Sequence, residues 1–69
     1  RLQRRLAEVE ADVQRTETRR KELIDLISRA GQAGNVEQVT SLGQEYAQAD
    51  EHLRELMSEW EKLSVDLEE

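Results

Sequence analysis

The sequence predicts an all-α fold, a two-helix antiparallel coiled-coil hairpin, and three observations carry that prediction. First, Leu2, Leu6, Val9, Val13, Thr16, Arg20, Leu23, Ile27 and Ala30 step along the first half of the chain by alternating fours and threes. Val39, Leu42, Tyr46, Ala49, Leu53, Leu56, Trp60, Leu63 and Leu67 do the same along the second half. A 3.5-residue rhythm keeps one stripe on one side of a slightly underwound helix, which is the seam of a coiled coil. Second, the two seams mirror each other: a single fold-back pairs Leu2 with Leu67, Leu6 with Leu63, Val9 with Trp60, and so on to Ala30 with Val39. Every layer then joins an a position to a d position. Third, the chain has no proline and only three glycines, so little interrupts helix.

The first helix is expected from about residue 1 to residue 30, roughly 45 Å at 1.5 Å per residue. Its core residues are Leu6, Val9, Val13, Leu23 and Ile27. Gly31 follows the last seam residue and suits the left-handed position that ends helices. The turn is placed at residues 31–35, where Gly31-Gln32-Ala33-Gly34 has low helix propensity. Asn35 is a good N-cap, and Gln38 three residues later completes an Asn-x-x-Gln capping box. The second helix is expected over about 36–67, with Leu42, Tyr46, Leu53, Leu56, Trp60 and Leu63 as its core. Residues 1–69 thus form one hairpin domain. Because the chain opens at Arg1 in mid-seam, it reads as a fragment of a larger cytosolic protein.

Two layers are polar. Arg20 opposes Ala49, and Thr16 opposes Leu53. The small alanine leaves room for the arginine stem to cross the seam with its head toward water. Such a layer fixes register at some cost in stability. Ile24 and Val36 are apolar at e positions and Leu26 at a g position, so the seam widens near the turn, and Gly43 is expected to let Ile24 approach. Tyr46 and Trp60, the only aromatics, occupy a positions and are expected to fill the core; truncating a buried Trp60 to alanine costs roughly 3–5 kcal/mol.

The formal charge is −6, unevenly distributed. Residues 1–30 hold eight Arg or Lys against six acids, and residues 31–69 hold two against ten. A basic helix beside an acidic one attracts, although each exposed pair contributes under about 1 kcal/mol. Arg5 with Asp66 is one such expected contact near the open end, and His52 is expected beside Arg19. The acidic total argues against tight, sequence-independent nucleic-acid binding by the hairpin alone. A local basic stripe on the first helix is compatible with it, and the contact candidates are Arg1, Arg4, Arg5, Arg15, Arg19, Lys21 and Arg29. The chain has no cysteine, hence neither disulfide nor thiolate metal site. No apolar run approaches the ~18 residues that span a bilayer. His52 lies on a helix flank, and the carboxylates lie on exposed faces without the enclosure that acid–base chemistry needs. Ser41-Leu42-Gly43-Gln44 is similar to a nucleotide-binding signature, but Leu42 belongs to the seam and no phosphate loop adjoins it. No catalytic, cofactor or metal residue is assigned.

The second helix carries a family resemblance. Leu42-Gly43-Gln44-Glu45-Tyr46, the spaced Leu53 and Leu56, and Glu59-Trp60-Glu61-Lys62-Leu63 ahead of an acidic end resemble the C-terminal domain of ABC-F ATPases, the Uup-like coiled-coil extension. Arg1-Leu2-Gln3-Arg4-Arg5-Leu6 with Glu8-Val9-Glu10 resembles that family's opening helix. Many members carry an Asp-Pro in the turn region, which is absent here. The resemblance implies a non-catalytic tail on a bacterial, cytoplasmic ATPase with two tandem nucleotide-binding domains. ATP and Mg would belong to those domains, and this fragment itself would need no cofactor. The implied partners are the ribosome, in translation regulation, or DNA, together with the parent's own nucleotide-binding domains, and no membrane. The alternatives are a protein-interaction or dimerisation module, including a weak homodimer, and a structural spacer arm.

Overall fold

The computed structural model describes the backbone of residues 2–68 and the side chains of residues 3–66. Helix α1 runs Leu2–Gln32 and helix α2 runs Val36–Glu68. They lie antiparallel against each other in a rod of 53 × 14 × 13 Å. Among the described side chains, every seam residue from Leu6 to Ala30 and from Val39 to Leu63 is buried or half-buried. The predicted hairpin is the observed fold. The Leu2/Leu67 layer lies outside the described side chains.

Two cylinders touch along one line, so the core is a single file of layers and few side chains are fully enclosed. Val9 is 0 % and Leu23 1 % exposed. These two belong to the layers completed by Trp60 and Tyr46, and both aromatics are only half-buried. The expectation of two buried aromatics therefore needs correction. A two-helix interface has no third element to cover a large ring. Both rings sit in the seam with part of their surface in water.

The turn departs from its predicted form. Helix α1 passes through Gly31 and ends at Gln32, two residues beyond Ala30. The left-handed residue is Gly34, with φ +73°. The Asn35 N–H donates to the Ala30 carbonyl at 2.9 Å and the Gly34 N–H to the Gly31 carbonyl at 3.1 Å. This pair of bonds is a Schellman motif, which satisfies carbonyls left open at the end of α1. Asn35 then caps α2: its Oδ1 accepts from the Gln38 N–H at 3.1 Å. The return half of the capping box is altered. Because the Asn35 N–H already serves α1, Gln38 Oε1 accepts instead from the Asn35 side-chain amide, at 3.3 Å. One residue closes one helix and opens the next.

Gly43 also differs from expectation. A methyl group added there would meet nothing within 4 Å, and Ile24 stays 53 % exposed. Gly43 does not make room for Ile24. The widened seam near the turn is an exposed surface, with Val36 75 % exposed.

Candidate nucleic-acid interface

The heptad sorts the seven cationic candidates into two sets. Arg5 and Arg19 stand at g positions, on one flank of the seam. Arg4, Arg15, Lys21 and Arg29 stand at f, c, b and c positions, on the side of α1 turned away from α2. Arg1 lies outside the described residues.

The flanking pair is engaged across the hairpin. Arg5 makes a two-pronged contact with Glu59, Nε to Oε2 at 2.7 Å and Nη2 to Oε1 at 2.9 Å, and reaches Glu8 at 3.3 Å. Arg19 Nη2 donates to Glu45 Oε2 at 3.0 Å and Nη1 to Glu22 at 3.4 Å. Going from Arg5 to Arg19 moves two heptads up α1, and going from Glu59 to Glu45 moves two heptads back along α2. The two bridges are thus one repeated contact. The expected partners, Asp66 for Arg5 and His52 for Arg19, sit one heptad further along α2, so both expectations miss by the same step. Chemistry and length explain the choice: Glu45 offers Arg19 a carboxylate that an imidazole does not, and for Arg5 the Glu59 stem spans the gap between the helices better than the shorter Asp.

These contacts also set the electrostatics. Hydrogen bonds from Arg5, followed by its charge, hold the Glu59 carboxyl below the usual carboxylate range against the opposing effect of burial. The same hydrogen bonds raise the Arg5 guanidinium above its ordinary value. Arg5 and Arg19 are therefore residues that join the two helices.

The outward set is held less firmly. Arg15 pairs with Asp12 three residues away, and Arg29 with Asp25 at 3.0 Å four residues away. Both arginines are highly exposed, and pairs of this kind contribute a few tenths of a kcal/mol. Arg4 and Lys21 are exposed, and neither is within ion-pair distance of another described residue. Glu8, Glu22 and Asp25 share the same face, so the positive field there is local.

Arg20 is a polar layer of a different kind. Its Nη1 donates to Asp50 Oδ1 at 2.8 Å, and Arg54 reaches Asp50 Oδ2 at 3.1 Å. The arginine head thus ends on a carboxylate of α2. Sequence reasoning saw the arginine and missed Asp50, although an acid one residue past the opposing Ala49 was a signal for it. Among the described residues no cluster of His, Cys, Asp or Glu could hold a metal ion. The larger surface hollows, about 560 Å³ each, are lined by one helix alone, as at Ala47, Asp50, Glu51, Arg54, Glu55 and Ser58. No described helix is long and apolar enough to cross a membrane.

The model of the ABC transporter C-terminal domain family matches residues 1–65. The chain belongs to the ABC transporter C-terminal domain family. The match takes in both helices and the turn, as the resemblance at Tyr46 and Trp60-Glu61-Lys62-Leu63 implied. No curated protein and no solved structure matches the chain. In this ABC transporter C-terminal domain the seam residues join the two helices, and the outward cations of α1 with described side chains are exposed.

Proposed function

We propose that this domain is a non-catalytic arm by which a parent ATP-hydrolysing protein engages the ribosome or DNA in the cytoplasm. ATP and Mg act in the parent's nucleotide-binding domains, and the arm supplies reach and contact. The observation that carries this reading is the outward set Arg4, Arg15, Lys21 and Arg29, spread along one side of a 53 Å rod in a family of ABC transporter C-terminal domains. Two of the four are held only by local pairs on their own helix, which a phosphate backbone can displace. The carboxylates interspersed on that face favour modest, salt-sensitive contact over tight binding.

The test is retention of the labelled hairpin on purified ribosomes and on duplex DNA, each at low and moderate salt. Salt-sensitive retention on one of them supports the reading and identifies the nucleic acid. Absence of retention on both, even at low salt, replaces it with a spacer or a protein-docking arm. The protein-docking alternative has its own observation in the exposed apolar residues of the other flank.

A further inference from the structure

The two flanks of the hairpin differ in kind. The g flank carries the Arg5–Glu59 and Arg19–Glu45 bridges. The e flank carries the Arg20–Asp50 bridge and, beside it, Ile24, Val36 and Met57, three large apolar side chains left substantially exposed. On that flank a hollow of about 240 Å³ draws on both helices: Glu10, Val13, Gln14 and Glu17 from α1, Met57 and Trp60 from α2. Its floor is apolar, formed by Val13, Met57 and the outer face of Trp60. Its rim on α1 is acidic, and neither Glu10 nor Glu17 lies within ion-pair distance of another described residue.

We propose that this notch docks a cationic amphipathic segment of a protein partner. One apolar side chain of that segment sits on Val13, Met57 and Trp60, and flanking lysine or arginine heads meet Glu10 and Glu17. The hollow is open on one side with an apolar floor, which suits a single side-chain anchor. Tryptophan supplies large contact area at little entropic cost and is enriched among residues that dominate interfaces. Charge selects the sign of the partner. A second copy of this chain would bring another formal −6 and would oppose like charges, whereas a cationic segment is attracted to the rim. Of the outward cations, Arg4, Arg15 and Arg29 stand at f and c positions away from the notch, and Lys21 stands at a b position one turn from Glu17.

Trp60 is the single tryptophan and reports directly on the notch. The probe is an 18-residue helix-forming peptide with leucines along one face and lysines beside them. A scrambled peptide of the same composition and a glutamate-for-lysine counterpart serve as controls. The expected result is a saturable blue shift of Trp60 emission with the lysine peptide. Affinity should fall at least tenfold for the scrambled peptide and for a Glu10→Lys, Glu17→Lys double variant that retains the helical circular dichroism of the parent. Met57→Glu should abolish the shift. No saturable shift, equal affinity for the scrambled peptide, or undiminished binding by the double variant each overturns the proposal. So does a concentration-dependent mass in sedimentation that Met57→Glu removes, which assigns the notch to a second copy.

Discussion

At the scale of single residues, the three glycines separate cleanly by backbone and space. Gly34 sits at φ +73°, where a side chain costs about 1–2 kcal/mol. Gly43 is helical with open space around it, where alanine gains about 1 kcal/mol. Gly34→Ala should therefore lower the urea midpoint and Gly43→Ala should raise it; the opposite order would show that the turn is misassigned. Sequence position alone pointed to Gly31 as the left-handed residue, because the seam ends at Ala30. The extension of the helix through Gln32 arises because Gly34 and Asn35 together make the Schellman bonds, which propensity at one residue does not reveal. Trp60 teaches a similar lesson. Its place in the seam was legible from the heptad, but its exposure depends on how many helices share the interface. With the ring only half-buried, Trp60→Ala should destabilise by about 2–3 kcal/mol. An unchanged melting temperature would contradict its place in the seam.

At the scale of helices, the mirrored spacing of the two seams made the antiparallel register readable, and the structure keeps it. The flank bridges were harder to read. Two g positions on α2 compete for each g arginine, and side-chain chemistry and length decide between them. The pairing of Arg5 with Glu59 has a pH signature. Because the carboxyl is held below its ordinary value of about 4.3 in the fold, its contribution is present above that value. It is lost as pH falls through the lowered one. Acid titrations of wild type and Glu59→Gln should then differ near neutrality and converge in acid. Curves that diverge further as pH drops would refute this sign. The Arg20–Asp50 layer sits near the middle of the rod with both side chains about a third exposed. Replacing such a pair with apolar contact is often stabilising. The double replacement Arg20→Met, Asp50→Leu should raise the melting temperature, by about 1–4 kcal/mol of stability, while loosening register. That loosening is measurable as broader distances between spin labels on the two helices. A sharp drop in stability instead would mean that the layer is a source of stability and not of register.

At the scale of the whole molecule, the described residues form a thin rod of 53 × 14 × 13 Å whose inward residues make the fold and whose outward residues are exposed. The family was legible in Tyr46 and the Trp60-Glu61-Lys62-Leu63 run, both of which lie on the seam. The flank bridges were legible only in part: the heptad puts Arg5 and Arg19 at g positions and Arg15 and Arg29 at c positions, but it does not say which acid each arginine meets. The proposed role in nucleic-acid contact rests on the division between bridging and outward arginines. It is tested most directly by the salt dependence of nucleic-acid binding, comparing wild type with an Arg4→Ala, Arg15→Ala, Lys21→Ala, Arg29→Ala variant of preserved helicity. Each outward cation that meets a DNA phosphate contributes about 0.9 to the slope of log K against log salt. The variant should bind more weakly, with a slope shallower by about that amount for every phosphate it no longer neutralises. A slope equal to that of wild type would place the phosphates elsewhere and contradict the assignment.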